Sequence, residues 1–144
     1  MNLPKPEIGL VIRYSYLWHR EAMAGQEEGN KDRPCAIVAA IAATHHVMVM
    51  VLPITHVQPD NRVVAVEIPL AIKKIIGLDA DRSWVVLSES NVFAWPGPDL
   101  RPSHGDDLSS VVIGFLPPLF FQVIQKQVLR LQNSGGITAV PRTE

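Results

Sequence analysis

Short apolar runs with sharp polar boundaries recur along the chain, a pattern typical of buried β-strands. Two of them, Cys35–Ile41 and Val47–Pro53, are rich in β-branched residues and too short for helices without caps. Only a short polar segment separates them, so we expect an antiparallel hairpin that turns near residues 42–46. The start of the first strand then lies beside the end of the second, at one rim of a sheet.

The remaining pattern predicts further short strands, one short helix and one longer helix. Strands are expected at Ile8–Tyr14, Arg62–Ile68, Trp84–Asn91 and Ser110–Leu116. Pro69–Ile76 has a proline at a helix start and Gly77 at a stop, which predicts two helical turns. From Pro118 onward, Phe120, Val123/Ile124, Val128 and Leu131 recur at three- and four-residue steps, which predicts a C-terminal helix with one apolar face. The predicted class is mainly β, of the α+β type.

Two segments are expected to be loops, and both chain ends to be tails. The polar segment 19–32 carries glycines and glutamates and is expected to be exposed and mobile. Three prolines and two glycines make 96–107 a long loop. With 144 residues, 47% hydrophobic and 19% charged, the chain is expected to fold as a single globular domain, 1–144. Residues 1–7 and 134–144 are expected to be flexible.

Net charge and cysteine content bear on nucleic-acid binding and on the cellular compartment. The formal net charge of −1 offers no general attraction to nucleic acid, so any such binding needs locally concentrated cations. Lys31 and Arg33 lie together, and Arg13 and Arg62 are candidates to join them from neighbouring strands. The single cysteine, Cys35, excludes an internal disulfide and suits a reducing cytoplasm as a small buried apolar group. No signal-like start and no apolar run of about 20 residues is present, so we expect a cytoplasmic protein without a membrane span.

The predicted hairpin brings two chemically matched side chains to one rim. Arg33 stands just before the first strand and Thr55 just after the second. An always-charged, forked donor beside a hydroxyl is a combination suited to holding a phosphate. Either residue alone is more often a solvated turn residue or a strand-end hydroxyl bonded to nearby backbone. The two residues together, brought to one rim by the hairpin, predict a phosphate-binding role that neither predicts alone.

Five short motifs follow one another along the chain: Gly9-Leu-Val-Ile12, Glu28-Gly29 through Arg33-Pro34, Pro53-Ile54-Thr55, Leu87-Ser-Glu-Ser-Asn-Val-Phe-Ala-Trp95 and Gly114-Phe-Leu-Pro-Pro-Leu-Phe-Phe-Gln-Val-Ile124. In this order and spacing they resemble the MazF/PemK family of toxin–antitoxin endoribonucleases. The resemblance covers about residues 8–131. It implies an SH3-like, partly open β-barrel with a short inserted helix and a C-terminal helix. It also implies a homodimer that cuts single-stranded RNA as a toxin and is neutralised by a cognate antitoxin protein.

The resemblance also assigns catalytic roles. Arg33 and Thr55 match the family's catalytic positions, and Glu28 matches a frequent glutamate, which makes it the first candidate for general base. His56 is the alternative base, because an unperturbed imidazole titrates near neutrality.

Other residues are candidates for contacts to RNA. Glu89 resembles a later acidic residue of the family and is expected to orient Arg33 or to meet a base edge. Lys31 and His56 are candidate RNA contacts, and Trp18 is a candidate stacking platform. Asp32 is placed to orient Arg33 or to weaken its hold on phosphate.

No metal or other cofactor is expected. His45 and His46 look like a metal pair, but neighbouring residues on a strand point to opposite faces, and no Cys/His/Asp spacing elsewhere supports a site. A second class of function stays open: a catalytically inactive barrel that binds RNA or a protein partner. Gyrase-poisoning relatives use an aromatic C-terminus for this purpose, whereas this chain ends Val140-Pro-Arg-Thr-Glu144.

Overall fold

The protein is an α+β structure built mainly on one antiparallel sheet, seen here in a computed structural model that describes residues 3–142. The strands are β1 (Leu10–Tyr14), β2 (Arg33–Ala42), β3 (Val47–Thr55), β4 (Ala65–Glu67), β5 (Trp84–Val86), β6 (Glu89–Trp95), β7 (Val112–Phe115) and β8 (Thr138–Pro141). The α-helices are α1 (His19–Met23), α2 (Leu70–Ile76) and α3 (Pro118–Asn133), and a 3₁₀ turn spans Leu108–Val111.

The predicted hairpin is confirmed and forms the centre of the sheet. β2 and β3 pair antiparallel from Cys35 opposite Pro53 to Ala42 opposite Val47, with one register shift between Ile37 and Ala39. The amide of Ala43 donates to the carbonyl of His46, which closes the turn at 2.7 Å. The start of β2 and the end of β3 therefore lie side by side.

β3 divides its second edge between two other strands. Its first half, Val47–Val51, pairs with β6, whereas Ile54 and Thr55 pair with β5. The sheet order is β4-β5-β3-β2-β1-β7, and β8 adds to β6 in parallel. Within residues 3–142, β7 pairs only with β1 and β8 only with β6, so the sheet does not close on itself.

Alternation along the strands creates a separate apolar core on each face of the sheet. In β1, Ile12 and Tyr14 belong to the first core, and Val11 belongs to the second. The first core also contains Trp18 and Phe93, while the second is covered by α2 and α3. Period-two alternation is what sends neighbouring side chains to opposite faces.

Both predicted helices form, and α2 ends at Gly77 as predicted, with a left-handed φ of +100° that favours glycine. The buried face of α3 is Phe121, Ile124 and Val128, whereas Val123 is 46% exposed. The predicted face was therefore wrong at Val123 and missed Phe121, whereas Phe120 and Leu131 are partly buried against the second core as predicted.

The segment 19–32 is more ordered than expected. It contains α1, whose Glu21 is buried, so the expectation of a wholly exposed loop is wrong. A Cβ at Gly29 would overlap the carbonyl oxygen of Tyr16, which shows how closely the segment packs on the chain after β1. The predicted strand 84–91 is also divided, into β5 and β6.

The expectation of a flexible tail from residue 134 onward is wrong for residues 138–142. β8 pairs with β6, and the Arg142 side chain is 1% exposed. At the other end, residues 3–7 form no helix or strand, although Pro4 accepts a hydrogen bond from the Trp95 indole at 3.0 Å. Residues 1, 2, 143 and 144 of the predicted tails lie outside the described residues. Among the described helices, none combines the length and apolar character required to cross a bilayer.

Candidate functional site

A pocket of about 400 Å³ opens at the rim where β2 begins and β3 ends. Both Arg33 and Thr55 line it, together with Trp18, Lys31 and His56. The pairing of Cys35 with Pro53 explains this arrangement, because two further residues along each strand bring Arg33 level with Thr55. We call this cavity the rim pocket. The predicted convergence of the arginine and the threonine is confirmed.

Arg33 presents a guanidinium whose hydrogen-bond donors are unused by the described residues. Its side chain forms no hydrogen bond or ion pair with any residue in 3–142, and its Nε is buried without an acceptor. Its guanidinium carbon lies 4.9 Å from the centre of the Trp18 ring. Partial burial lowers the pKa of Arg33, while Cys35 and Glu21 act in the opposite direction. The group stays protonated at any working pH, since arginine starts above 12.

Thr55 presents a hydroxyl whose hydrogen is free. The residue is 7% exposed, and its Oγ1 accepts the amide hydrogen of Val57 at 3.1 Å. Within residues 3–142 the hydroxyl donates to no acceptor, so it remains able to donate to a ligand oxygen.

His56 is held by a carboxylate that is itself held by a buried lysine. Its Nε2 lies 3.0 Å from Oδ2 of Asp79, and both side chains are about half exposed. Lys73, 1% exposed, donates from Nζ to Oδ1 of Asp79 at 2.8 Å, to Oγ of Ser83 at 2.7 Å and to the carbonyl of Asp81. The hydrogen bond from Lys73, and then the contact with His56, lower the pKa of Asp79 below its usual range. Asp79 is therefore a fixed anion that orients the imidazole.

The rim pocket has positive character despite the slightly acidic chain. Each of its three carboxylates is neutralised by a basic side chain: Asp32 by Arg101 at 3.3 Å, Asp60 by Arg62 at 3.1 Å and Asp79 by Lys73 at 2.8 Å. In contrast, the lining residues Arg20, Lys31 and Arg33 form no ion pair with a described carboxylate. Unpaired cations beside paired anions leave the cavity suited to an anionic ligand.

Two of the predicted site residues lie elsewhere. Glu28 does not line the rim pocket; its charge acts on Asp99, whose pKa it helps to raise. Glu89 accepts hydrogen bonds from the Tyr16 hydroxyl at 3.0 Å and the His19 amide at 2.9 Å. Its predicted role of orienting Arg33 is wrong, because these bonds tie it to the start of α1.

Trp18 lines the pocket but is not an open stacking platform. The side chain is 9% exposed, and the guanidinium groups of both Arg20 and Arg33 lie over the ring, at 5.1 and 4.9 Å. Cation–π attraction makes the ring a support for the arginines. The predicted interaction of Asp32 with Arg33 is replaced by its ion pair with Arg101, and Arg62, which does not line the rim pocket, pairs with Asp60, which does.

Sequence reasoning missed Lys73 and Asp79. Lys73 stands three residues before the buried Ile76 in α2, so helical periodicity places it on the inward face. A lysine on an apolar face, followed by two aspartates within eight residues, is the signal that was available. The carboxylates of Asp79 and Asp81 also approach His56, all within 4.8 Å, a grouping that can hold a metal ion. The Lys73 ammonium already supplies a cation to Asp79.

Comparison of the chain with family models, curated proteins and solved structures found no match. The case for a function therefore depends on the geometry of the rim pocket.

Proposed function

We propose that the protein is a metal-independent endoribonuclease that cuts single-stranded RNA by attack of the 2′-hydroxyl on the adjacent phosphate. The observation that supports it most is the placement of an unpaired guanidinium, Arg33, and a free hydroxyl, Thr55, in one positively charged pocket. RNA brings its own nucleophile, so the protein must position the phosphate, stabilise its developing charge and transfer two protons.

Arg33 and Thr55 meet the first two requirements. As the 2′-oxygen bonds to phosphorus, negative charge grows on the non-bridging oxygens, and the guanidinium donates to them with a charge that a half-buried site screens only weakly. The Thr55 hydroxyl donates to one of these oxygens and fixes the phosphate for in-line attack. A single donor of this kind contributes a factor of about 10²–10³ in rate.

His56 serves one of the two proton transfers in this mechanism, and solvent water exchanges the other proton. The 2′-hydroxyl loses its proton, the bond from phosphorus to the 5′-oxygen breaks, and that oxygen gains a proton. The products are a 2′,3′-cyclic phosphate and a 5′-hydroxyl. His56 is the imidazole of the rim pocket, and Asp79 fixes its orientation. We therefore propose His56, rather than Glu28, as the general base or acid.

The resemblance to the MazF/PemK family extends the proposal to a biological role. The protein would be a cytoplasmic toxin with an SH3-like, partly open barrel. It would act as a homodimer, and a cognate antitoxin would cover the groove that holds RNA. The mainly antiparallel α+β fold is compatible with this reading, and motif order is its main support.

The decisive experiment is cleavage of a long single-stranded RNA by the purified protein in excess EDTA, with end-group analysis of the fragments. We expect cyclic 2′,3′-phosphate and 5′-hydroxyl ends. Arg33→Ala and Thr55→Val should each lose at least about 100-fold in rate. Glu28→Gln should cut as the native protein does, and Arg130→Ala is the matched control because Arg130 is exposed on α3. Unchanged cutting by Arg33→Ala would refute the assigned roles.

The position of Glu28 outside the pocket favours a second candidate, a barrel of this shape that binds RNA or a protein without cutting. It predicts tight RNA binding that depends on Arg33, with intact RNA after prolonged incubation. Growth arrest on expression with uncut cellular RNA would support this second reading and refute the first.

A further inference from the structure

A second cavity, of about 340 Å³, lies on the other side of Arg33. Three arginines line it, Arg13, Arg33 and Arg101, with Asp32, Ser103 and two prolines. We call it the arginine pocket. Arg33 and Asp32 line both this pocket and the rim pocket, so the arginine that is proposed to hold the reacting phosphate stands between the two cavities.

Two arginines beside this cavity have a buried Nε without a hydrogen-bond partner among the described residues. In residues 3–142, the buried side-chain nitrogen and oxygen atoms without a hydrogen-bond partner are Nε of Arg13, Nε of Arg33 and Oγ of Ser90. Both nitrogens belong to guanidinium groups of residues that line the arginine pocket. A buried donor without an acceptor costs about 1–3 kcal/mol, so two such arginine donors beside one cavity make it a candidate anion site.

The charges of the arginine pocket are unequal. Arg101 is paired, with its Nε 3.3 Å from Asp32 and its Nη2 3.8 Å from Asp99. The Arg13 side chain, like that of Arg33, forms no hydrogen bond or ion pair with a described residue. Once Asp32 is set against Arg101, two unpaired cations remain on the walls, and forked donors of this kind fit phosphate oxygens.

The strands explain why these two arginines are neighbours. Arg13 pairs with Pro34 and Tyr14 with Arg33 in the β1–β2 ladder, so the arginines are diagonal neighbours where β1 ends and β2 begins. Alternation sends them to opposite faces of the sheet, yet both line the arginine pocket at this end of the ladder.

We propose that the arginine pocket binds a second phosphate of the same nucleic-acid strand, next to the one at Arg33, and that Arg13 is its main ligand. The class of ligand rests on the proposed function; the anion site itself rests on the unpaired arginines. The rim pocket then holds the reacting linkage while Arg13 fixes the neighbouring one, which sets the register of the strand.

The test uses deoxydinucleotides, which lack the 2′-hydroxyl and stay uncut. Three probes are titrated against the full-length protein: one with its single internal phosphate, one with an added 5′-phosphate and one with an added 3′-phosphate. We expect one terminal phosphate to tighten binding about 10-fold. It should also steepen the dependence of log Kd on log salt by about 0.7.

Variants of Arg13 test whether this side chain causes the tighter binding of the probe with a terminal phosphate. The ratio of dissociation constants between probes should fall to near 1 in Arg13→Met, and most of it should return in Arg13→Lys. Arg130→Met, on the exposed face of α3, should keep the native ratio. Circular dichroism of each variant verifies folding, and the salt slope of the native protein tests the site independently of any substitution.

Several outcomes overturn the proposal: no gain from either terminal phosphate, no binding of any probe up to millimolar concentration, or a gain that persists in Arg13→Met. Loss of the gain when inorganic phosphate is added at the probe's own concentration would assign the pocket to free phosphate and overturn the strand-binding role. RNA cutting is scored separately. If RNA is cut but a terminal phosphate does not tighten binding, only this inference is refuted. If a terminal phosphate tightens binding but RNA is not cut, only the proposed ribonuclease activity is refuted.

Discussion

The guanidinium of Arg33 lies against the Trp18 ring, 4.9 Å from its centre, and finds no other partner among the described residues. Arg20 approaches the same ring, at 5.1 Å. An aromatic face can hold a guanidinium without occupying its hydrogen-bonding edge. Trp18 thus keeps Arg33 in place while leaving its donors for a ligand.

This relationship predicts that Trp18→Phe lowers kcat/KM for RNA cleavage about 5- to 10-fold, because phenylalanine attracts a cation less strongly than tryptophan. The measurement is initial rates on one RNA under fixed salt. Trp84→Phe is the matched control: Arg82 lies 4.9 Å over the Trp84 ring, and Trp84 does not line the rim pocket. If both variants lose activity equally, Trp18 has no specific role.

A second prediction concerns the orientation of His56. Asp79→Asn should lower kcat about 10-fold or more and leave KM nearly unchanged, because the amide no longer fixes the imidazole as an anion does. Added imidazole should restore part of the activity of His56→Gly but not that of Asp79→Asn. Asp81→Asn removes the same charge nearby, and Asp81 forms no hydrogen bond with His56. Equal loss in Asp81→Asn, together with metal-stimulated cutting, would favour a metal site over an orienting carboxylate.

The lowered pKa of Asp79 predicts that part of the free energy of unfolding is lost in acid. The pKa of Asp79 is lowered from its ordinary value of 3.8 by Lys73 first and by His56 next. A lowered folded-state pKa means that the stabilisation is complete above about pH 4 and is lost as the pH falls through the lowered value. Because Asp79 is about half exposed and solvent screens its charge, Asp79→Asn should reduce the free energy of unfolding by about 1 kcal/mol at pH 7.

Urea unfolding across a pH series measures this difference between native protein and variant. The gap should narrow below about pH 4 and close once the pH falls below the lowered pKa of Asp79, because the native carboxylate is then protonated as well. Glu67→Gln is the control: its ion pair with Arg82 is solvent-exposed and touches no buried lysine, so it should cost far less at pH 7. A gap that stays constant down to pH 2 would contradict the assigned cause.

Arg142 is predicted to hold the C-terminal strand on the molecule. Its guanidinium lies 2.9 Å from Asp99, and it donates to the Ser15 carbonyl at 2.7 Å and to Asn91 Oδ1 at 3.0 Å. Arg142→Met leaves the buried Asp99 carboxylate with only the more distant Arg101, at 3.8 Å, and should cost about 3 kcal/mol.

The raised pKa of Asp99 determines how the stability loss of Arg142→Met changes with pH. Burial raises the pKa of Asp99 even with Arg142 present, so removing the arginine raises it further. An acid with a raised folded-state pKa destabilises the fold increasingly as the pH rises through that pKa. The loss in Arg142→Met should therefore be largest near neutrality and smaller in acid. Adding Asp99→Asn should recover part of it, whereas Arg130→Met should change little. Equal stability of Arg142→Met and native protein would contradict the anchoring role.

Local sequence determined the parts of the protein that depend on near neighbours. A short turn between two β-branched runs forms the hairpin, while the register shift between Ile37 and Ala39, which the pattern did not predict, sets Arg33 level with Thr55 rather than His56. The end of α2 at Gly77 follows equally from a local rule, because the left-handed turn favours glycine.

Only the tertiary structure decided which charges meet. Glu28 was expected at the site from its match to a frequent glutamate of the family, yet it does not line the rim pocket, and the Glu89 carboxylate accepts hydrogen bonds from Tyr16 and His19. The support of His56 comes from Asp79, in a loop that no local pattern connects to β3. The partner of an ionised group is selected by burial and by the exclusion of water, and both depend on residues that are far apart along the chain. A one-dimensional pattern contains neither.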